Sequence, residues 1–548
     1  AEKGRMPRLL SATVAMSSGT IVSKALGLVR VLLVGNLLGN NSRQGTMYMV
    51  ATTVPSSLYL LLAGGALNAV LVPELVRHMH EDDDDGEAYT NRVMTAFLLL
   101  VAILAVVLTL LSPFITALYS QSEWRGAALA DQYRSMVFLT TLCLPQVFFY
   151  GMFFVGAQVL NARGSFGPMM WAPVGNNVIQ VLVLGCYAWV WGFHTDTSGA
   201  FTTNQVLLLG IGSLVGIVVQ AVLLWAFMKR TGFRYRPRFD LVGMGLGRIF
   251  TIAKWTLGLV ILGQIGSWLF TRIGSEAVVG GSGAGNLAYE SAALFSLLPN
   301  TLVTVSIATA LLPEMSRAAA RGDNGLLGAL LGRGIRLSSV AALPLIAILA
   351  ALAMPIATLF YSVEKGGVLV GWTLVVLAIV EIPYLVQFLI MRAFYAMEDT
   401  KSPFLATAVF EAVRLSLVLV LFEVVGIAAD RVAPTLAFCY LVGSCVQVAW
   451  LVARMRRVAV GVEFTGSLRY LIRVTLACVP GNIVAWLVCW FQAAHWPGFW
   501  QQFAALAIGG VISLASYLVL ARVCGVREIS DVISMLRRRF QRGAITDD

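Results

Sequence analysis

Long apolar runs recur along the whole chain and constrain its fold more than any other feature. About 20 apolar residues are enough to cross a bilayer as a helix. The 548-residue chain is 58% hydrophobic and 12% charged, whereas soluble domains are roughly one quarter charged. A transmembrane barrel would instead show segments of about 10 residues with alternating polarity. The sequence therefore predicts an all-α polytopic membrane protein.

The apolar runs predict fourteen transmembrane helices. Several runs are longer than a bilayer requires, so these helices must tilt, bend or project past the membrane. In chain order, the predicted spans cover residues 9–38, 46–76, 91–118, 132–161, 166–193, 204–229, 242–271, 285–316, 328–361, 367–397, 403–425, 431–455, 466–490 and 500–523.

Lysine and arginine concentrate on one side of this predicted membrane. The loops after even-numbered spans include KRTGFRYRPR, SRAAARG and RMRR, and the tail contains LRRRFQR. The opposite loops GFHTDTSGAFTTN and QAAHWPGFWQQ contain neither cation. Because cytoplasmic loops are enriched in Lys and Arg, both termini are predicted to be cytoplasmic. We attribute the net charge of +11 to topology and anionic lipid, not to nucleic acid.

Four motif pairs occur in the same order in two parts of the chain, at nearly the same offset. VLVPELVR matches ALLPEMSR, SPFITALYS matches MPIATLFYS, Pro145 matches Pro383, and LNARGSFGP matches YAMEDTKSP. Spans 1–6 and 7–12 are therefore interpreted as two parallel six-helix repeats, an architecture found in transporters. The predicted domains are an N-lobe over residues 1–230, a C-lobe over 231–460, spans 13–14 over 461–525 and a basic amphipathic tail over 526–548.

Two cations interrupt the first apolar run, in the stretch SKALGLVR. Lys24 lies mid-helix, and Arg30 follows about 9 Å further along the helix. A charge at the bilayer centre costs about 2.5–3.5 kcal/mol on insertion scales, which favours a position that lines water or binds an anion. A diphosphate suits the planar donors of arginine and the mobile charge of lysine. The alternative is that Lys24 snorkels and Arg30 anchors the helix at the interface.

Several stretches resemble the MurJ/MviN family of lipid II flippases, within the superfamily of multidrug, oligosaccharidyl-lipid and polysaccharide exporters. They are SKALGLVRVLLVGNLLG, VPSSLYLLLAGGALNAVLVPEL, SIATALLPEMSRAAARGD and RAFYAMEDTKSP. The likeness covers residues 8–525 and implies a divergent, actinobacterial member. It implies two lobes around a cationic cavity, with spans 13–14 forming a groove for the lipid tail. The implied function is to move lipid II to the outer leaflet of the bacterial cytoplasmic membrane by alternating access.

The resemblance also implies which residues bind the substrate. It places the cations that bind the diphosphate at Lys24 and Arg30. Tyr59 and Leu294 stand where two further cavity arginines are expected, so Lys24 and Arg30 would carry more of the anion's charge. The residues predicted to line the cavity are Ser23, Gly27, Thr46, Tyr59 and Asn68.

Four further charges lie inside predicted C-lobe spans, at Lys254, Arg272, Glu411 and Arg414. The spacing of Glu411 and Arg414 permits an ion pair on one helix face. The family's sodium site is implied in this lobe, but Arg414 and Thr271 occupy positions where sodium ligands are expected. We therefore expect a fixed-charge network in place of sodium, with a purely local ion pair as the alternative.

Prolines and glycines within the spans predict flexible points. Pro55, Gly64, Gly65 and Pro299 are candidate hinges for alternating access, and static kinks are the alternative. The acidic loop HMHEDDDDGE is interpreted as a solvated charge run, so no metal site and no cofactor is predicted. We find no nucleotide-binding or hydrolase motif, and we do not expect an enzyme.

Lipid II translocation is the leading hypothesis from the sequence. The alternatives are an exporter of another undecaprenyl-diphosphate-linked glycan, a multidrug exporter of the same superfamily, or a non-transporting scaffold for envelope synthesis. Cations within the membrane argue against the scaffold, and spans 13–14 argue against a twelve-span drug exporter. The expected partners are lipid II, anionic phospholipid at the basic tail and other cell-wall synthesis proteins, but no nucleic acid.

Overall fold

The structure is a computed structural model, and it describes residues 5–63, 75–82, 84–165, 167–193, 197–240, 246–459, 465–523 and 525–526. Within these residues the chain forms helices and no β-strand. The described residues contain 13 helical segments that are long and apolar enough to cross a membrane. These coincide with every predicted span except the second, which runs into residues 64–74. The multi-pass helical fold is therefore confirmed, and the count of fourteen stays a prediction.

The first of two compact units spans Ala1–Leu287. Within it, α8 packs against α1 and α9, and α2 packs against α6 and α7. The unit includes α10, although the predicted lobe boundary at residue 230 precedes this helix; the lobes rest on the sequence repeat and stay a prediction. The helices are α1 (Arg5–Val34), α2 (Arg43–Ala63), α3 (75–81), α4 (Glu87–Leu110), α5 (Ser112–Tyr119), α6 (Ala130–Cys143), α7 (Gln146–Ala162), α8 (Gly167–Trp191), α9 (Thr203–Arg230) and α10 (Leu246–Gly274).

The second compact unit spans Ala288–Asp548, and α11 crosses the boundary between the units. Within this unit, α16 packs against α14 and α18, and α19 packs against α14 and α20. The helices are α11 (Asn286–Ser296), α12 (Leu298–Leu302), α13 (Thr304–Ala320), α14 (Asn324–Ala351), α15 (Ala353–Phe360), α16 (Gly367–Ala396), α17 (Lys401–Leu419), α18 (Val432–Val458), α19 (Thr465–His495) and α20 (Phe499–Val523).

The matching motifs SPFITALYS and MPIATLFYS adopt the same local structure. A one-residue break at Leu111 separates α4 from the eight-residue α5, and a break at Leu352 separates α14 from the eight-residue α15. A short 3₁₀ turn follows each of the two short helices. The shared pattern of long helix, break, short helix and turn supports the predicted repeat.

Pro299 lies where a predicted span is broken. Leu297 and Val303 separate α11, α12 and α13, and Pro299 occupies the first turn of the five-residue α12. A proline is tolerated there because its missing N–H would have no partner in the helix. Pro55 instead lies within the continuous helix α2, so a hinge role is a prediction for both prolines. The predicted features that fall outside the described residues are Gly64, Gly65, Asn68 and residues 527–548 of the tail.

Small residues allow α19 and α20 to pack at close range. A Cβ atom at Gly481 would lie 2.7 Å from the Cβ of Ser516 and 2.9 Å from the Cα of Ser513. Small side chains let membrane helices approach closely enough for extensive van der Waals contact. The hydroxyl group of Tyr517 on α20 also donates to the carbonyl of Val340 on α14, at 2.9 Å. The helix pair is thereby joined to the rest of its unit.

Replacing Gly481 by valine should force α19 and α20 apart. We expect a loss of about 1–3 kcal/mol of stability, because the added carbons overlap backbone atoms that cannot move freely. The measurement is the thermal unfolding midpoint of the purified protein in detergent. Gly510→Val on α20 is the matched control, since a Cβ there meets no atom within 4 Å. Equal effects of the two substitutions would contradict the close packing.

Candidate functional site

One face of α1 packs against α8. The amide of Asn177 on α8 donates to the carbonyl oxygen of Ser23 at 2.9 Å and to its hydroxyl oxygen at 3.1 Å. A Cβ atom at Gly19 would lie 2.8 Å from the Trp171 ring, and one at Gly27 would lie 4.0 Å from the Asn177 amide. Ser23 and Gly27 are predicted to line the cavity, and that role stays a prediction. The structure shows that Gly19 and Ser23 lie where the two helices approach closely, which small residues allow.

Lys24 and Arg30 remain available to an anion. Lys24 is exposed and Arg30 is half-buried. In the described part of the chain, neither residue forms an ion pair with an acidic side chain. Arg30 acts electrostatically on the hydroxyl groups of Tyr48 on α2 and Tyr150 on α7. The side chain of Arg30 is therefore placed among α1, α2 and α7 without an internal counter-charge from the described acids.

Aromatic rings occupy the position where a further cation is expected. The Tyr59 ring stacks on Tyr150, with centroids 4.9 Å apart and an angle of 23° between the planes, and it meets Phe154 edge-on at 6.5 Å. These packed rings form an apolar surface and carry no positive charge. Thr46, also predicted to line the cavity, is 1% exposed, so it belongs to the packed interior of the unit.

Arg272, at the end of α10, binds backbone oxygens near the end of α5. Its Nη1 atom donates to the carbonyls of Ala117 at 3.2 Å, Leu118 at 3.1 Å and Ser120 at 2.9 Å. The indole of Trp268 donates to the same Leu118 carbonyl at 2.8 Å. The last carbonyls of a helix have no partner within the helix, so Arg272 satisfies groups that would otherwise be unpaired.

Further hydrogen bonds fasten the segment that follows α10. The indole of Trp124 donates to the carbonyl of Ser275 at 2.9 Å. On the other side, Arg43 at the start of α2 donates to the carbonyl of Val279 at 2.6 Å. Together with Arg272, these bonds join α2, the α5–α6 segment and α10 at one end of the first unit. By the predicted topology this is the outer end.

Glu411 and Arg414 form a buried ion pair in the second unit. Arg414 donates to one carboxylate oxygen of Glu411 from Nη2 at 2.6 Å and from Nε at 3.0 Å. Two aromatic ring centroids lie 4.9 and 5.7 Å from the guanidinium carbon. Lys254 is exposed in the first unit, and Arg272 makes the backbone contacts described above. The structure thus unites two of the four residues of the predicted charge network. Lys254 and Arg272 belong to the other compact unit, and the wider network stays a prediction.

An apolar cleft of about 490 Å³ lies between α19 and α20. Val484, Leu487 and Phe491 line it from α19, and Ile508 lines it from α20. Trp496, in the turn between the helices, also lines the cleft. The cleft has the apolar lining and the location in the chain that the family resemblance implies for a lipid-tail groove.

Several polar residues of these sites were not among the predictions. Asn177 lies in the apolar run WAPVGNNVIQVLVL, and Glu381 lies in the run LVVLAIVEIPYL. Glu381 is 4% exposed and accepts a hydrogen bond from Asn300. The signal that identified Lys24, a polar residue inside an apolar run, would have found all three residues.

The same fold occurs in solved structures of membrane transporters. A structure described as "Lipid II flippase MurJ, inward closed conformation" matches with a TM-score of 0.71 and 17% identity, covering 93% of this chain and 99% of that one. An inward-facing multidrug resistance MATE family transporter of the MOP superfamily matches with a TM-score of 0.60 and 16% identity, covering 81% of this chain and 98% of that one. The fold therefore defines the class: a multi-pass helical membrane protein with the architecture of this transporter superfamily.

The chain belongs to the family described as "Lipid II flippase MurJ", whose model matches residues 34–504. A probable lipid II flippase MurJ from Rhizobium meliloti (strain 1021) is 25% identical over 550 residues, which is 96% of each chain. One from Vibrio cholerae serotype O1 is 25% identical over 548 residues, which is 95% of this chain and 97% of that one. The predicted family resemblance is confirmed.

Glu411→Gln should destabilise the protein strongly, because it removes the carboxylate that pairs with the buried Arg414. Breaking such a pair costs about 3–5 kcal/mol, measured as the loss of unfolding free energy in detergent. Removing both charges, in Glu411→Gln/Arg414→Gln, should restore part of the loss. Asp131→Asn is the matched control, because Asp131 pairs with Arg134 at the same spacing on an exposed surface, where a pair contributes about 0–1 kcal/mol. Similar losses for Glu411→Gln and Asp131→Asn would argue against a buried pair.

Proposed function

We propose that this protein moves lipid II, the undecaprenyl-diphosphate-linked peptidoglycan precursor, from the inner to the outer leaflet of the bacterial cytoplasmic membrane. The observation that carries the proposal is the presence of Lys24 and Arg30 on a membrane helix, without an acidic partner among the described residues, in a chain that matches the MurJ family over residues 34–504. Relatives across the chain's length are named as lipid II flippases.

The diphosphate of lipid II is the group that these cations would bind. Arg30 offers a planar set of N–H donors that fits phosphate oxygens, and Lys24 adds a mobile charge. Tyr48 and Tyr150, on which Arg30 acts electrostatically, would supply hydroxyl groups beside the phosphate. Because Tyr59 contributes a ring and no charge at the position of an expected arginine, Arg30 carries a large share of the attraction.

The polyprenyl chain of lipid II requires an apolar path. The cleft between α19 and α20 offers one, since residues such as Leu487, Phe491 and Ile508 line it. An apolar chain gains little by leaving lipid for such a cleft, so the cleft would act by guiding the tail while the headgroup crosses. Because α19 and α20 pack closely, the cleft lies at the surface of the helix pair and does not pass through it.

Alternating access would carry the headgroup across. With both termini cytoplasmic, the hydrogen bonds of Arg43, Trp124 and Arg272 close the first unit on the outer side, and they would have to break for release. The guanidinium of Arg414, paired with Glu411, would act as a fixed cation in place of a sodium ion, because a guanidinium cannot serve as a ligand to a metal cation and repels it at short range. The basic tail would contact anionic phospholipid, and other cell-wall synthesis proteins are proposed partners.

Depleting the protein in its host should trap lipid II in the inner leaflet. The measurement is the fraction of lipid II that a membrane-impermeant hydrolase can cleave from outside the cell, which should fall as the protein disappears and recover when it is supplied again. A host strain without a second flippase is required. Unchanged cleavage, with loss of a different surface glycan, would instead identify an exporter of another lipid-linked glycan.

Arg30→Ala should abolish translocation while the protein stays folded, and Lys24→Ala should weaken translocation. Hydrogen bonds to charged groups contribute about 1.5–3 kcal/mol, so losing Arg30 should slow transport at least about tenfold. The measurement is the translocation rate of a fluorescent lipid II analogue in proteoliposomes, with thermal unfolding to monitor the fold. Arg431→Ala, at an exposed cation, is the control. A fully active Arg30→Ala variant would mean that Arg30 is an interfacial anchor.

A further inference from the structure

The second unit contains a buried acid that the proposed function does not use. Glu381 lies at the middle of α16, a 30-residue helix, and is 4% exposed. It forms no ion pair with any cation in the described part of the chain. An uncompensated charge at this depth costs several kcal/mol. Binding a proton removes this cost, so a carboxyl group in such a place is stabilised when it is protonated.

The hydrogen bonds around Glu381 accommodate the ionised carboxylate. The amide of Asn300, on α12, donates to a carboxylate oxygen of Glu381 at 2.7 Å and to the Glu381 backbone carbonyl at 2.8 Å. Thr304 in turn donates to the amide oxygen of Asn300 at 2.6 Å. The amide is thus held with its N–H groups towards the acid and its oxygen away, which supplies donors to a negative charge and not ligands to a metal ion.

Ser296 accommodates the protonated form as well. Its hydroxyl group lies near the Glu381 carboxyl and donates to the carbonyl of Ala293 at 3.0 Å. In that orientation the Ser296 oxygen is free to accept a hydrogen bond from the O–H group of a neutral Glu381. Rotating the hydroxyl group turns it into a donor to the carboxylate. Both protonation states of Glu381 therefore find partners without rearrangement of the helices.

The charged and titratable groups near Glu381 leave its charge unbalanced. Three tyrosines interact with it electrostatically, on α11, α16 and α18, and the Glu411–Arg414 pair beyond them on α17 is neutral as a whole. Of the other helices packed against α16, α13 carries Glu314 and Arg317 in its second half, α14 carries Arg333 and Arg336 in its first half, and α15 carries none. The groups on all of these elements, and in the 3₁₀ turn before α16, are Tyr289, Glu290, Glu314, Arg317, Arg333, Arg336, Glu364, Lys365, Tyr384, Arg392, Tyr395, Lys401, Glu411, Arg414, Cys439, Tyr440, Cys445, Arg454, Arg456 and Arg457.

We propose that Glu381 is a proton-binding site, and that its proton controls the contact between α16 and the broken segment at α12. The proton is taken from water and resides on the carboxyl of Glu381. Asn300 directly follows Pro299, and α12 lies between helix breaks at Leu297 and Val303. A hydrogen bond to a charged carboxylate is roughly twice as strong as one to a neutral group. Protonation would therefore loosen the bond that joins α12 to α16.

Infrared difference spectroscopy of the full chain in lipid nanodiscs tests the site without any substrate. Between about pH 9 and about pH 5, a range in which buried carboxyl groups titrate, the wild type should gain the C=O band of a protonated carboxyl. Glu381→Gln should lack this band, and the exposed-site control Glu423→Gln should keep it. Asn300→Ala should show a larger protonated fraction at the same pH, because the ionised form loses its donor. An unchanged band in Glu381→Gln would overturn the proposal.

Two further measurements complete the test. Adding sodium chloride at constant ionic strength should leave the band unchanged, and loss of the band would instead assign a sodium site. Hydrogen exchange of residues 297–303 at alkaline pH should be faster in Glu381→Gln than in the wild type and in Glu423→Gln, because the substituted amide is neutral at every pH. Equal exchange would overturn the link to α12. A thermal unfolding midpoint close to that of the wild type would show that Glu381→Gln is folded, and neither readout depends on lipid II.

Discussion

Every polar group inside a bilayer must find its partner within the protein, because hydrocarbon offers none. This chain meets the requirement in different ways. Arg414 is neutralised by Glu411 at 2.6 Å, and Arg272 satisfies the last carbonyls of α5. Lys24 and Arg30 have no acidic partner among the described residues. This contrast is the reason for our proposal that a ligand supplies the partner of these two cations.

The same requirement determines how α1 is used. Its small residues Gly19 and Ser23 lie against α8, where an amide of Asn177 saturates the Ser23 oxygens. These small residues therefore allow α1 to pack closely on α8. A cation must be held rigidly to discriminate a diphosphate from other anions, since a flexible side chain loses entropy on binding. Packing α1 firmly against α8 reduces that loss at Arg30.

The multi-pass helical fold and the family could be predicted from the sequence, because apolar runs and motif spacing are properties of the sequence alone. The sequence also predicted the Glu411–Arg414 pair, since an (i, i+3) spacing fixes both groups on one face. The contacts of Arg272, Ser23 and Thr46 could not be predicted, because each depends on which neighbouring helix covers that residue. The sequence locates a charged residue inside the membrane. Whether its partner is a backbone carbonyl, an acid or a ligand depends on tertiary packing.

Arg414 carries a permanent charge, whereas the charge of Glu381 changes when it binds a proton. A guanidinium buried where the family's sodium ligand is expected supplies a permanent positive charge, and Glu411 cancels it. Glu381 is a variable charge in this part of the second unit, and its carboxylate accepts a hydrogen bond from Asn300. A proton needs one basic oxygen, whereas sodium needs several oxygen ligands at once. Because the amide of Asn300 directs its N–H groups towards Glu381, this site favours the binding of a proton over the binding of sodium.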